Sequence, residues 1–362
     1  MSFDEIPGPK SFPVIGTLYK YTPYFGDYDV EALDKNSWLN WRRYGSLVRE
    51  APGVRVLHVY DPEDIEVVFR QDHRYPARRS HVAMFHYRLN KPHVYNTGGL
   101  LSTNGPEWWR LRSTLQKNFT SPQSVKNHVD STDKVVKEFL EWIKQRNVSH
   151  DDDFLPYLNR LNLEVIGTVA FNERFRSFSH EEQSPNSRSS KTIEAAFGSN
   201  SGIMKLDKGF LWKLFKTPLY KKLADSQEYL EKVSTEILLE KVNFFENDND
   251  EDISLLTVIV TQNMVACRLQ QYVRDPLVFK PERWLRGSDS YENLHPFLSL
   301  PFGFGPRSCI ARRLAEQNMC IIIIRLIRKF RLKWMGGELG VRTLLINKPD
   351  RPVHLSFTSR ND

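Results

Sequence analysis

Hydrophobic side chains recur along the chain with two spacings, one typical of strands and one typical of helices. Residues 54–60 alternate apolar and polar side chains and are rich in β-branched residues, which predicts a strand. Asp61 and Pro62 follow directly and predict a helix start, since Asp is a favoured N-cap and Pro suits the first helical turn. From about Glu107 to Phe171 the apolar spacing is helical.

Two polar stretches interrupt these patterns. Ser184 to Gly202 is rich in Ser, Asn and Pro, which predicts a mobile surface loop. The acidic stretch from Glu246 to Asp252 predicts a solvated linker or a frayed helix end. Beyond it we expect a strand at Thr257–Val260, a helix over residues 311–331 and a β-rich tail that ends near Phe357. The chain is therefore expected to be mainly α with small β-sheets.

Composition narrows the class of protein. Of 362 residues, 40% are hydrophobic and 26% are charged, which is typical of a globular protein and excludes a disordered or collagen-like chain. Three cysteines (Cys267, Cys309 and Cys320) are too few for a disulfide framework, and their spacing does not favour a structural zinc site.

The charge balance bears on partners. Lys and Arg outnumber Asp and Glu by 51 to 44, so the net charge of +7 favours an acidic partner or an anionic membrane surface. We expect no nucleic-acid partner. The apolar run at residues 320–324 is too short to span a bilayer, and the first residues show no presequence pattern, so neither an anchor nor a targeting signal is predicted.

The clearest chemical signal lies between Leu300 and Glu316. A loop rich in Gly and Pro leads into Cys309, and a helical pattern starts directly after it, so the sulfur is expected among unpaired backbone N–H groups at a helix N-terminus. Such donors stabilise a thiolate, which is the proximal ligand that haem iron needs for O–O cleavage. A lone cysteine is more often a small buried hydrophobic residue, but Phe302, Gly305 and Arg307 stand at fixed spacings from this one.

These four residues match F-x-x-G-x-R-x-C, and the segment closely resembles the haem-binding loop of the cytochrome P450 family, the haem-thiolate monooxygenases. The resemblance implies that haem is the cofactor and that Cys309 is the ligand of its iron. It further implies that Arg307 binds a haem propionate, that Phe302 covers the sulfur side of the haem and that Gly305 shapes the loop. Ala311 departs from the family, which usually has Gly two residues after the Cys.

Other segments resemble the family in the expected order. Trp108 and Arg112 match W-x-x-x-R and share one helix face, and the resemblance implies that both hold a haem propionate. On its own such a pair is more often a packing contact. Residues 279–284 resemble the P-E-R segment upstream of the cysteine loop, and residues 7–9 resemble the proline hinge before the first sheet.

Two elements of the family are not found. The oxygen-activating helix should carry an acid followed by Thr, and nothing between Glu231 and Cys309 supplies that pair. The E-x-x-R pair should lie upstream of Phe279, whereas the E-x-x-R sequences at residues 107–110 and 173–176 come far too early. Against a family length of about 500 residues, roughly a hundred are absent near residues 255–260.

We interpret this gap as an internal deletion in one cytochrome P450-like domain. The predicted fold lacks the central oxygen-activating helix and the E-x-x-R helix. Residues 1–256 form an N-terminal helical and small-sheet part, residues 257–362 carry the haem-thiolate loop and the C-terminal helix, and the domain is interrupted near residue 256. We expect a large apolar surface to face water, and we expect Arg283 to lose its carboxylate partner and become solvated elsewhere. With no visible proton source, the catalytic residues are unknown.

Basic residues follow the cysteine loop in a long run, opposed by the single acid Glu316: Arg307, Arg312, Arg313, Arg325, Arg328, Lys329, Arg331 and Lys333. The run is either a solvated face or a docking surface for an acidic electron donor. Adjacent arginines directly after the ligand loop resemble the mitochondrial branch of the family, which implies an acidic ferredoxin as donor. They also imply a location at the matrix side of the mitochondrial inner membrane.

Residues 209–222 interleave aromatic side chains with lysines, which suits core packing or a helix that dips into a membrane interface. In the family this region roofs the substrate channel, which implies peripheral membrane contact and a sterol-like substrate. The chain most resembles the insect mitochondrial members that hydroxylate ecdysteroid precursors, with the 22-hydroxylases as the nearest type. The rival hypotheses are a truncated, inactive relative that at most binds haem, lipid or ferredoxin, and a splice form or gene model that does not accumulate folded.

Overall fold

The computed structural model describes residues 2–22, 24–208, 211–239 and 257–360. Short 3₁₀ turns lie at Phe3–Glu5, Leu18–Tyr21, Glu181–Gln183 and Pro281–Trp284. The helices are α1 (Leu33–Tyr44), α2 (Pro62–Arg70), α3 (Val82–Leu89), α4 (Gly105–Thr120), α5 (Pro122–Lys126), α6 (Val129–Gln145), α7 (Leu155–Phe171), α8 (Arg188–Leu206), α9 (Leu211–Leu214), α10 (Pro218–Leu239), α11 (Asn263–Ala266) and α12 (Arg312–Lys329).

Within the described residues, three small sheets accompany the helices, which confirms the predicted fold class. The strands are β1 (Leu47–Glu50), β2 (Arg55–Val59), β3 (Thr257–Thr261), β4 (Phe330–Trp334), β5 (Val341–Leu344), β6 (Ile346–Pro349) and β7 (Leu355–Ser359). In the first sheet β2 pairs with β1 in antiparallel fashion and with β3 in parallel, with Leu57 opposite Ile259. The other two sheets pair β4 with β7 and β5 with β6.

Local chemistry explains the elements that the sequence predicted. The Asp61 carboxylate accepts a hydrogen bond of 2.9 Å from the Glu63 amide, and Pro62 occupies the first turn of α2. The predicted strands at 54–60 and 257–260, the helix over 311–331 and the β-rich tail are all confirmed, with the last strand running to Ser359.

The predicted loop over Ser184 to Gly202 is wrong, because most of it forms α8. The Ser187 side chain accepts a hydrogen bond from the Ser190 amide and so caps the helix. Small side chains on the buried face of α8 let α10 approach closely: a Cβ added at Gly202 would lie 3.0 Å from the Cβ of Leu223. Ser and Gly at these positions are packing residues, although their composition is that of a loop.

The main core joins the middle of the chain to its C-terminal part. Val135 and Phe139 of α6 and Leu161 of α7 pack with Leu326 of α12 and with Phe330, which begins β4. The other face of α12 stays open, since Met319, Ile323, Ile324 and Ile327 are each about half exposed. This exposed apolar stripe agrees with the expectation that a deletion uncovers apolar surface.

Some expectations fall on residues that the structure does not describe. The acidic stretch from Glu246 to Asp252 and the junction residues 255 and 256 lie outside the described ranges. None of the described helices is long and apolar enough to cross a membrane.

The expectation that Arg283 loses its carboxylate partner and becomes solvated is wrong. Its Nη1 lies 2.7 Å from Oε1 of Glu292, and both side chains are less than a tenth exposed. The same guanidinium donates to the carbonyl oxygens of Arg274, Asp275 and Val278 at 2.6–3.2 Å. The Glu292 carboxylate, from a nearby loop, therefore neutralises the charge of Arg283, and backbone carbonyl oxygens accept hydrogen bonds from its other N–H groups.

We predict that Glu292→Gln lowers the free energy of unfolding by about 3 kcal/mol, because it leaves a buried guanidinium without its counter-charge. Urea denaturation followed by circular dichroism measures the change. The matched control is Glu236→Gln, which breaks the exposed pair with Lys232 and should cost under about 0.5 kcal/mol. Equal effects of the two substitutions would contradict a stabilising role for the buried pair.

Candidate functional site

The cysteine loop, residues 302–309, folds back on itself as a tight turn. The Cys309 amide donates to the carbonyl oxygen of Phe302 at 2.8 Å, and the Ser308 amide donates to that of Gly305 at 3.1 Å. Gly303 and Gly305 adopt φ values of 70° and 71°, which side chains disfavour. A Cβ at Gly305 would meet only an ordinary contact of 3.7 Å with Asp72, so the constraint there is the backbone conformation.

Helix α12 begins directly after this loop. The Arg312 amide lies 3.4 Å from the Cys309 carbonyl oxygen, and Ala311 stands at the N-cap position, where its carbonyl accepts from the Ala315 amide at 2.9 Å. The Cys309 side chain is exposed, and the Phe302 ring lies under the Arg312 guanidinium at 5.6 Å. The sulfur therefore lies next to the N-terminus of a helix of 18 residues, as the loop pattern predicted.

Arg307 joins the cysteine loop to the rest of the fold. Its Nε donates to the Pro76 carbonyl oxygen at 3.0 Å, and its Nη2 donates to the Thr103 carbonyl and to Oδ1 of Asn104 at 2.9 and 2.8 Å. The guanidinium carbon lies 3.9 Å from the centroid of the Trp108 ring, a stacked cation–π contact. The Arg307 side chain thus connects three segments: its own loop, the segment around Pro76 and the segment that leads into α4.

Helix α4 forms the other side of the site. Trp108 is 1% exposed, and Arg112 lies one turn later on the same face. Arg112 donates through Nη1 to the Ser308 carbonyl oxygen at 2.8 Å and through Nε to Oε1 of Gln116 at 3.1 Å. The residue before Cys309 is therefore tied directly to α4.

Positive charge accumulates here. Burial, together with the nearby charges of Arg78 and Arg112, lowers the pKa of Arg307 to about 9, and Asp72 opposes that shift. Burial also lowers the pKa of Arg112, against the effect of the neighbouring Cys309. Burial raises the pKa of Asp72, even though Arg78 and Arg307 act to lower it. Arg307, Arg78 and Arg112 thus form a cluster of positive charge, in which the Asp72 carboxylate acts on Arg78 and Arg307, and an anionic ligand would offset the remaining charge.

The structure brings all six residues singled out from the sequence into one region: Phe302, Gly305, Arg307 and Cys309 on the loop, and Trp108 and Arg112 on α4. Asp72, Arg78 and Asn104 also belong to the region and were missed. They lie outside helices and strands, where no periodic pattern draws attention to a polar residue. The adjacent arginines at positions 78 and 79 were the sequence feature that could have indicated this part of the site.

We predict that Arg112→Met loosens the cysteine loop. Loss of a charged donor to the Ser308 carbonyl costs about 1.5–3 kcal/mol locally, so the amides of Arg307, Ser308 and Cys309 should exchange hydrogen about 10–100 times faster. Hydrogen exchange measured by mass spectrometry reports the change. Arg110→Met, on the exposed side of the same helix, should leave the exchange unchanged. Equal exchange in both variants would mean that Arg112 does not hold the loop.

Comparisons with known proteins identify the family of this chain. The family model described as Cytochrome P450 matches residues 6–266 and 256–344. The solved heme domain of cytochrome P450DA superposes with a TM-score of 0.70 at 16% identity, covering 98% of this chain and 97% of that one. A mutant form of the same domain gives a TM-score of 0.66. This chain therefore has the same fold as these two solved heme domains.

Relatives in the fruit fly Drosophila melanogaster are closer in sequence. "Cytochrome P450 302a1, mitochondrial" is 35% identical, with 99% of this chain and 96% of the relative covered. That alignment runs over 473 positions, 111 more than the 362 residues here, so the relative has many residues without a counterpart. "Ecdysone 20-monooxygenase" is 29% identical over 65% of this chain and 44% of its own. The chain therefore belongs to the cytochrome P450 family, in the branch whose named members are mitochondrial.

Proposed function

We propose that this protein is a haem-thiolate monooxygenase that hydroxylates a sterol, an ecdysteroid precursor, with electrons from a ferredoxin. The observation that carries the proposal is the meeting of Cys309 with a buried cluster of arginines whose charge is not balanced by the protein. Family membership makes the chain a monooxygenase by resemblance, and the cofactor of that family is haem.

The residues present fit a haem group. Its two propionates are the dicarboxylate that Arg307, Arg112 and Arg78 require, and the Trp108 indole adds a hydrogen-bond donor beside them. Cys309 offers an exposed sulfur on a loop that only glycines at 303 and 305 allow. We assign Cys309 as the iron ligand and Trp108, Arg112 and Arg307 as the propionate-binding residues.

Haem, when bound, supplies the activation of molecular oxygen. The protein's own residues hold the group and set its charge. The α12 N-terminus and the charged Arg112 lie beside Cys309, and Phe302 lies on the same loop. Arg307 keeps the loop, α4 and the segment before α3 in register, so the sulfur and the cationic cluster stay at a constant separation.

The electron donor we propose is an acidic ferredoxin that docks beside the start of α12. Arg313 lies there and donates to the Thr120 carbonyl, while the exposed Lys117 and Lys126 come from α4 and α5. The basic residues that follow the cysteine loop do not form one docking surface. Helix α12 extends about 27 Å, and Arg328 lies at the end far from the loop. Arg325 and Lys329 are paired with Asp133 and Glu141.

The proposed substrate and location follow the named relatives. One relative is an ecdysone monooxygenase and several are named mitochondrial, which supports a sterol of the ecdysteroid type and the matrix side of the mitochondrial inner membrane. Leu214 and Phe215, in the aromatic and lysine-rich segment, are two-thirds exposed, and Tyr24 and Phe25 are about nine-tenths exposed. These side chains suit peripheral contact with a bilayer, while residues 209 and 210 of that segment lie outside the described ranges.

We further propose that residues 1–256 and 257–362 form one domain that is interrupted near residue 256. Two contacts across the interruption support this: β3 completes the sheet of β1 and β2, and Arg325 of α12 pairs with Asp133 of α6. The apolar clusters around Leu326 and around Phe297 contain residues of both parts, so the parts share these cores.

A second candidate function is a catalytically inactive relative that at most binds haem, lipid or ferredoxin. The observation that favours it is the absence of the acid–Thr pair and of a suitably placed E-x-x-R pair from the sequence, together with the exposed apolar stripe on α12. Haem binding alone is compatible with both candidates. Product formation from the sterol, with reducing equivalents delivered by ferredoxin, separates them.

We predict that the purified chain, supplied with haem, reduced and exposed to carbon monoxide, gives the strongly red-shifted Soret band of a thiolate ligand. Cys309→Ser should abolish that band, because an alcohol does not replace the thiolate. Cys320→Ser, which changes an exposed cysteine on α12, is the matched control and should keep it. A red-shifted band in Cys309→Ser would reject the assignment of the iron ligand.

For the electron donor, we predict that Arg313→Gln weakens binding of a mitochondrial [2Fe–2S] ferredoxin about threefold to tenfold at low salt and that the loss shrinks as salt screens the charges. Surface plasmon resonance at several salt concentrations measures this. Arg328→Gln, at the far end of α12, carries the same charge change and should have little effect. A larger loss with Arg328→Gln would place the docking surface elsewhere.

A further inference from the structure

A pocket of about 400 Å³ lies between residues 273–284 and residues 294–299. Its floor belongs to an apolar cluster, since Val273, Leu294 and Leu298 pack there with residues of the first sheet and of α2. Its outer wall includes Phe279 and Trp284. Among the residues that the structure describes, none that lines this pocket belongs to the cysteine loop or to α4, so it is separate from the candidate haem site.

The outer wall is wrapped around the buried Arg283 side chain. The Arg283 guanidinium donates to the carbonyl oxygens of Arg274, Asp275 and Val278 at 2.6, 3.0 and 3.2 Å. These bonds fix the backbone on its inner side, while apolar side chains of the same segment face outward, as the 93% exposure of Phe279 shows. A buried side chain therefore holds the wall in place, and small-molecule sites are usually preformed in this way.

Two aromatic rings of the wall have free faces. Phe279 is 93% exposed and Trp284 is 61% exposed. Among the described residues, nearby rings pair with one another, as Phe297 does with His295 and Phe304, and neither Phe279 nor Trp284 takes part in such a pair. A flat apolar ligand placed against them would bury surface that now faces water and would have aromatic faces to stack on.

The ionisable groups of the lining favour an anion. They are Lys280, Arg283 and His295, and the described lining contains no acid. Arg283 is neutralised by Glu292 at 2.7 Å, and Nε2 of His295 lies 3.2 Å from Oε2 of Glu66. Lys280 has no acid within 4.0 Å among the described residues, and its Nζ is accessible to solvent. The Lys280 ammonium is therefore available to an anion that enters the pocket.

These features together define the chemistry of a ligand. A flat ring suits the apolar floor and the two exposed rings, and one carboxylate suits the single free ammonium. The hydroxyl group of Ser299, which also lines the pocket, can donate to the second carboxylate oxygen. A cationic ligand would meet Lys280 and find no acid in the described lining to balance it.

We propose that this pocket binds a small aromatic carboxylate, with its ring against Phe279 and Trp284 and its carboxylate on Lys280. Arg283 is a positioning residue for the site, because it holds the wall without touching the ligand. The site goes beyond the proposed function and does not depend on it, since no residue of the candidate haem site takes part.

The test is isothermal titration calorimetry of the full chain with naphthalene-2-carboxylate as the probe. Naphthalene-2-carboxamide, which has the same ring and no charge, is the comparison. We expect one carboxylate per chain, bound at least about fivefold more tightly than the amide at low salt, with the difference shrinking as salt screens the charges.

Two variants test the two halves of the site. Lys280→Met should remove the preference for the carboxylate over the amide, whereas Lys144→Met, which makes the same change at an exposed position of α6, should keep it. Phe279→Ala should weaken both probes about fivefold or more, because it removes one ring of the wall. Its thermal midpoint should stay close to that of the parent chain, since the ring is exposed. Phe12→Ala, which removes an exposed ring that does not line the pocket, should leave binding unchanged.

Cys267 lines the pocket and reports binding at the site itself. Burial raises the pKa of its thiol, so it reacts slowly with iodoacetamide. A saturating concentration of the carboxylate should slow this alkylation further, because the ligand covers the sulfur, and should leave the exposed Cys320 unaffected. Peptide mass spectrometry measures both rates.

Three results would overturn the proposal. The first is the absence of saturable binding below about 1 mM carboxylate. The second is equal affinity of the parent chain for the carboxylate and the amide, because Lys280 then selects nothing. The third is full-strength binding in both Lys280→Met and Phe279→Ala with no protection of Cys267, because the ligand then binds elsewhere.

Discussion

The candidate site depends on the Arg307 guanidinium, which stacks on Trp108 and donates to carbonyl and amide oxygens of the segment before α3 and the start of α4. The guanidinium is planar and carries five N–H donors in that plane. Its face can therefore stack on the Trp108 ring while the N–H groups at its edges donate hydrogen bonds. A lysine would keep the charge and lose this geometry. The charge has a cost, since burial beside Arg112 and Arg78 lowers the pKa of the group. The same residue thus joins the segments of the site and adds to its positive charge.

Several contacts join the residues before position 240 to those after position 256. The parallel pairing of β2 with β3, the packing of α12 on α6 and α7, and the pair between Arg325 and Asp133 all join the two parts of the chain. Arg283 finds its partner within the second part of the chain, since Glu292 lies nine residues further along and reaches the buried guanidinium. The isoleucines on the open face of α12 are about half exposed.

Much of the site was predictable because its residues stand at short, fixed spacings. The F-x-x-G-x-R-x-C loop and the Trp108–Arg112 pair are local patterns, and the structure brings them together. The partners of those residues were not predictable, since Asp72, Arg78 and Asn104 reach the site only through the tertiary fold. Helix α8 was missed for a different reason: its Ser and Gly residues have a loop-like composition, but they are small because α10 packs close to them. Glu292 was missed because nothing local distinguishes it from a surface acid.

The parallel pairing of β2 with β3 also bears on how the chain is made. Each residue of β2 pairs with one 202 positions later, as Arg55 does with Thr257. At a synthesis rate of about 5–20 residues per second, β2 waits about 10–40 s for its partner to leave the ribosome. During that interval one edge of the β1–β2 ribbon is open, and an open strand edge is a template for pairing with other chains. The longer the chain takes to deliver β3, the longer this edge stays available for pairing with other chains.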